Sequence, residues 1–160
     1  MTHLHQHRFL KCPYSRAKGY LRDSLERAAN AHEKRALRLC VPLENGLGSS
    51  MLHRDVIATY SLGVDPMHFD QPWKIHWALA DGGPYPDFDG ELTVRADEDY
   101  PTSILELVGR YTPPMGLAGA VFDAVVGARL ADATAQELLK RIGLLMETQY
   151  LTEEQHKSRA

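Results

Sequence analysis

The segment from Leu117 to about Tyr150 constrains this chain more than any other. At 100° per residue, one stripe collects Leu117, Ala120, Val121, Ala124, Val125, Ala128, Ala131, Ala135, Leu138, Leu139, Ile142, Leu145 and Met146. The opposite side collects Asp123, Arg129, Glu137, Lys140, Arg141 and Glu147. An amphipathic helix of this length, roughly 50 Å at about 1.5 Å per residue, spans a small domain and must cover something. Thr112-Pro113-Pro114 ends what reads as a strand, so the helix is expected to begin within two residues of Met115. It should run unbroken past Gly127, because one glycine costs only about 1 kcal/mol relative to alanine. The stripe is graded: small residues dominate as far as Ala135 and bulky ones follow.

Upstream, the apolar period changes from helical to two. His3 to Cys12 alternates loosely and reads as an opening strand that Pro13 ends. Ser15 stands at an N-cap position for a helix reaching about His32, with Tyr20, Leu21, Leu25, Ala28 and Ala29 on a narrow apolar stripe. Five further strands follow. The inward sets are Leu37, Leu39, Val41 and Leu43; Val56, Ala58, Tyr60 and Leu62; then Trp73, Ile75, Trp77 and Leu79. Leu92, Val94 and Ala96 form the next set, and Leu105, Leu107, Gly109 and Tyr111 the last. Asn45-Gly46, Asp65-Pro66 and the run Asp81 to Pro86 mark connections. Strands clustered between two helices predict an α+β domain with a curved antiparallel sheet, helices on one face, over residues 1–150. A polar tail, residues 151–160, is expected to fray.

A chain of 160 residues with 44% hydrophobic and 24% charged residues has ordinary globular composition. A net charge of -3 argues against a nucleic-acid partner. No apolar run approaches the about 18–20 residues of a membrane span, so stable insertion is not expected. With no signal-peptide core and only Cys12 and Cys40, a cytoplasmic protein with free thiols is expected. The sequence assigns no oligomeric state.

The final half carries a resemblance. Phe88-Asp89-Gly90, Gly109-Arg110-Tyr111-Thr112-Pro113-Pro114-Met115-Gly116, Phe122-Asp123 and Gly127-Ala128-Arg129-Leu130-Ala131 are similar to the helix-grip superfamily. This superfamily comprises the birch-pollen-allergen and START-like proteins, or SRPBCC domains, and the likeness is greatest to its uncharacterised bacterial members. The resemblance implies a curved antiparallel sheet of six to seven strands wrapped around a long C-terminal helix, with an early helix after the first strand. Six strands are countable here where the fullest members have seven, and one early helix where they have two short ones.

The resemblance also implies an apolar cavity between sheet and helix that holds a lipid-like or polyketide-like small molecule. Its expected lining is Tyr60, Trp73, Trp77, Leu107, Tyr111, Val121, Ala124, Ala128, Ala131 and Asp132. From the residues alone, the aromatics read equally as core or as cavity wall. A cyclase- or dehydratase-type enzyme using the same cavity is the alternative, and an interaction domain with a filled core is the next.

Polar motifs are weaker. His3, His5 and His7 share one strand face, but i to i+4 spans about 13 Å, too far for one zinc. No second-strand ligand is assignable, and neither a metal nor a cofactor is expected. Gly46-Leu47-Gly48-Ser49-Ser50 reads as a hairpin turn rather than a phosphate cradle, since no helix or lysine follows. A triad from Ser49 or Ser103 with His53 or His76 has no nucleophile-elbow context, and no catalytic residue is assigned. Asp132 interrupts the helix stripe, and Arg129 is its nearest partner on the helix, a pocket acid being the sharper alternative. Glu106, Arg110 and Arg95 are expected on the exposed face of the sheet.

Overall fold

Each period-two run becomes a strand because it has one apolar face to bury and one polar face to leave in water. The structure, a computed structural model, describes residues 2–29, 36–44, 51–62, 72–83, 85–113 and 120–160, without the side chains at 28–29, 43–44, 51–53 and 120–124. Along the chain lie β1 (Thr2–Leu10), α1 (Tyr14–Ala29), β2 (Ala36–Glu44), β3 (Met51–Leu62), β4 (Trp73–Leu79), β5 (Asp87–Ala96), β6 (Ser103–Thr112) and α2 (Ala120–Arg159). The strands form one antiparallel sheet in the order β1-β6-β5-β4-β3-β2. β2 to β6 is thus a meander, β1 returns beside β6, and α1 carries the chain from one edge of the sheet to the other. α2 touches both edge strands, β1 and β2, so the sheet curls around it.

Two facing glycines set the curl. Gly90 pairs with Gly109, and a Cβ on Gly109 would lie 2.4 Å from the Asp89 carbonyl oxygen and 2.5 Å from Gly90 Cα. A Cβ on Gly90 would lie 2.6 Å from the Val108 carbonyl oxygen. No side chain fits at either position, and the Phe88 ring lies over both. Trp77 stacks on Phe88 at 4.0 Å, nearly parallel at 13°, and its Nε1–H donates to the Pro86 carbonyl at 3.1 Å.

The expected inward faces are buried in β2 and β6, at Leu37, Leu39, Val41, Leu105, Leu107 and Tyr111, whereas in β5 Leu92 is buried, Val94 half-buried and Ala96 exposed at the strand end. Val56, Ala58, Tyr60, Ile75 and Trp77 are buried likewise, whereas Leu62, at the end of β3, is exposed. α1 starts one residue before the expected cap. The Pro13 carbonyl accepts from Arg16 N at 3.1 Å and Ala17 N at 3.0 Å, which leaves Ser15 inside the first turn.

α2 passes Gly127 without a break. Its buried stripe runs through Ala131, Ala135, Leu138, Leu139, Ile142 and Met146, but Val125 and Leu145 are exposed on its flanks. A helix flank needs no apolar cover, so position on the wheel alone overestimated its burial. The residues expected as a tail continue the helix to Arg159. Arg16 pairs with Glu153 and with Glu154, the latter at 2.6 Å, while the Tyr20 hydroxyl donates to Glu153 at 2.6 Å. The Arg16 guanidinium also lies between the Tyr20 and Tyr150 rings, 5.4 and 5.2 Å from their centroids. The start near Met115, the Asn45-Gly46 turn and the Asp65-Pro66 connection lie outside the described residues.

Candidate functional site

α1 crosses the concave face of the sheet near its first helical turns, and its packing leaves an opening there. A cavity of about 260 Å³ lies between α1 and the inner ends of β3, β4 and β5. Its apolar wall is made by Leu21, Leu62, Trp73, Leu92 and Val94. Register explains the wall: Leu62 pairs with Trp73 and Trp73 with Leu92, so three inward positions fall in one row across three strands. Trp73 is half-buried, with its ring edge towards Tyr60 at 6.2 Å and 71°. Lys18 and Arg22, one helical turn apart on α1, line the same cavity. Lys18 Nζ sits 5.1 Å from the Tyr14 ring centroid. Among the described residues lining this space there is neither an acid nor a histidine.

Tyr60, Trp77, Leu107, Tyr111, Ala128, Ala131 and Asp132 do not line this cavity. Trp77, Leu107 and Ala131 are fully buried, and Tyr60 and Tyr111 are 5% exposed. The Tyr60 hydroxyl donates to the Leu25 carbonyl, which fixes α1 over β3. Ala128 is half-buried, and the side chains of Val121 and Ala124 lie outside the described residues. Asp132 is exposed and accepts from Gln6 Nε2 of β1 at 3.1 Å, so its contact is with the sheet rather than with Arg129. Further along α2, Arg8 reaches over Gly143, where a Cβ would lie 2.7 Å from Nε, and its guanidinium is 3.6 Å from Glu147.

Sequence reasoning missed one buried polar contact. The Tyr85 hydroxyl lies 2.6 Å from Thr134 Oγ1, which itself donates to the Leu130 carbonyl at 2.6 Å. Burial pushes the Tyr85 hydroxyl above the usual tyrosine range. This pair docks the β4–β5 loop onto the small-residue half of α2. A threonine within an alanine stripe was the available signal.

The polar candidates are scattered over the outer face or buried singly. His5 Nε2 lies 2.7 Å from Glu106 Oε1, and Arg95 Nε is 3.6 Å from the same oxygen. Glu106 is thus the second-strand carboxylate that sequence alone could not assign. No three histidine, cysteine, aspartate or glutamate side chains converge among the described residues. His76 Nδ1 lies 3.0 Å from Asp89 on the outer face, whereas Ser103 is buried against Cys12 at 3.8 Å, so these do not form one site. Burial raises the Cys12 thiol, which leaves it protonated and inert. Ser49 and the His53 side chain lie outside the described residues. A larger hollow of about 540 Å³ opens over Thr59, Ser61, Lys74, His76, Asp89 and Glu91. It is an open, shallow depression across β3, β4 and β5 that does not enclose a ligand.

A strongly curved antiparallel sheet, closed at both edges onto one long C-terminal helix, decides the architecture. It is the helix-grip fold. No family model matches the chain, and no curated protein matches it. Among solved structures the chain is similar to TTHA0849 from Thermus thermophilus, with 13% identity over 91% of this chain and 97% of that one, at a TM-score of 0.49. It is also similar to a START superfamily protein from Mycobacterium smegmatis, with 11% identity over 89% and 98% at 0.48. The Zhui aromatase/cyclase from Streptomyces sp. R1128 shares 15% identity over 91% and 93% at 0.43. The helix-grip assignment rests on the strand order and the two helices themselves. Among the described residues, no helix is long and apolar enough to cross a membrane.

Proposed function

We propose that this protein binds a hydrophobic small molecule on the concave side of its helix-grip sheet. The cavity beneath α1, walled by Leu62, Trp73, Leu92 and Val94, carries this reading. Ligand sites are mostly apolar and aromatic with a few placed polar groups, and this one combines a half-buried tryptophan with Lys18 and Arg22. The expected site between sheet and α2 is modified accordingly. Full burial of Trp77, Leu107 and Ala131 supports a site towards the Trp73 end of the sheet.

Full burial of Trp77, Phe88, Leu105 and Leu107 favours one second reading, an interaction domain with a filled core. Titration with an environment-sensitive apolar dye separates the two. Ligand binding predicts saturable dye emission that Trp73→Ala weakens, and native mass spectrometry of freshly purified protein should show a retained small molecule. No dye binding and a bare mass would support the filled core.

A further inference from the structure

Gly19 lies in the interior of α1, where glycine is disfavoured because it loses the most backbone freedom on folding. One common reason for a glycine in a helix is a neighbour too close for a side chain. Gly143 of α2 has that reason, since a Cβ there would lie 2.7 Å from Arg8 Nε. Gly19 does not: among the described residues, a Cβ built on it would meet nothing within 4 Å. The space it leaves open belongs to the cavity beneath α1, whose helical wall it forms together with Leu21.

The sheet opposite supplies an independent observation. Leu62, Trp73 and Leu92 stand in one row across β3, β4 and β5, because Leu62 pairs with Trp73 and Trp73 with Leu92. Side chains in such a row lie next to one another and make one continuous apolar wall. Leu92 is fully buried, but Trp73 is half-buried and Leu62 is 46% exposed, so the row is covered at one end and open at the other. The open end and Gly19 line the same cavity of about 260 Å³. That volume lies just under the usual range of small-molecule clefts.

Resting on the ligand-binding reading above, we infer that Gly19 is the specificity-determining residue of this cavity and that its ligand is a compact, flat apolar molecule of one or two fused rings. One face of the rings lies against Leu62 and Trp73. The other passes beneath the α1 backbone at Gly19, in the space that a side chain would take. A larger residue at position 19 closes this slot, and a larger ring system exceeds its volume.

Fluorescence titration with 1-naphthol and with 1-hydroxypyrene tests this, because both probes are flat, carry one hydroxyl and differ in ring number. Apolar area alone favours the four-ring probe. A slot of this size reverses that order, and the parent should bind 1-naphthol about tenfold tighter. Gly19→Ala should weaken 1-naphthol by about tenfold, the scale of one methyl group in a fitted apolar pocket. Gly19→Leu should abolish its binding. Gly19→Ala should also melt at a higher temperature than the parent, since alanine favours a helix and meets no neighbour there, which separates occlusion from misfolding.

Tighter binding of 1-hydroxypyrene by the parent would overturn the size limit. Unchanged 1-naphthol affinity in both variants would overturn the role of Gly19. Either result leaves the hydrophobic-ligand reading standing. A lower melting temperature in Gly19→Ala would overturn the open space beside this residue. Binding of neither probe to the parent would overturn the ligand-binding reading itself.

Discussion

Gly90 and Gly109 face each other too closely for a Cβ on either, so single side chains there bear on how the sheet curls. Gly109→Ala would drive a methyl group into the Asp89 carbonyl and Gly90 Cα, neither of which is the flexible end of a side chain. A loss of roughly 1–3 kcal/mol is expected, as for other overpacked core positions, and urea unfolding of the variant measures it. Glu153 gives a second prediction at this scale. The hydrogen bond from the Tyr20 hydroxyl, chiefly, with those from Gln149 and Arg16, holds its carboxyl below the usual glutamate range. A group depressed in the folded state adds stability above its unfolded pKa, about 4.3, and loses it as pH falls through the folded value. Thermal unfolding from neutral pH down through the carboxylate range should therefore show a steeper acid loss in the parent than in Glu153→Gln. Parallel pH profiles would show that this contact contributes nothing measurable.

Among the elements, α2 joins two kinds of packing. Ala131 is fully buried and Ala128 half-buried, so the two alanines should respond differently to enlargement. Ala131→Leu should overpack and destabilise by about 1–3 kcal/mol, whereas Ala128→Leu should stay near the parent in the same unfolding measurement. Equal losses at both positions would mean that the helix is close-packed along this whole length. The far end of α2 depends on α1. Arg16→Ala removes a guanidinium held between two aromatic rings as well as its pairs with Glu153 and Glu154, and should cost about 1–2 kcal/mol. Backbone amide exchange should then accelerate from Gln149 to the C-terminus while the sheet amides keep their protection. Unchanged exchange there would show that the helix end holds without the clamp.

At the scale of the whole molecule, both helices pack on the curled sheet, and a cavity opens beneath α1. A ligand that binds only the folded chain stabilises it by about 2.7 kcal/mol at a hundredfold excess over the dissociation constant. For a chain of this size each kcal/mol raises the melting temperature by roughly 2–4 °C. A saturating apolar dye should therefore raise it by several degrees in the parent and by less in Trp73→Ala. A shift of the same size in both would place binding outside the α1 cavity.

The sequence by itself determined the elements and their faces. Period-two runs at Leu37–Val41 and Leu105–Tyr111, and the helical period from Ala131 to Met146, encode which side of each element is apolar, because backbone geometry sets where successive side chains point. Spacing along one element carries no information about what lies opposite it. That is why the flank positions Val125 and Leu145, the anchoring of Glu153, the Gln6 contact of Asp132 and the Tyr85–Thr134 pair were decided only by the tertiary structure. Each depends on residues brought together from more than a hundred positions apart, or 49 for Tyr85 and Thr134, or on whether anything is brought there at all. The cavity has the same origin. Trp73 was legible as an inward aromatic, but its neighbours on α1 were not, since no periodicity links Lys18, Gly19 and Arg22 to the ends of three strands. Whether an inward side chain is packed, like Trp77, or borders open space, like Trp73, depends on the volume supplied by distant elements, and only the folded chain sets that volume.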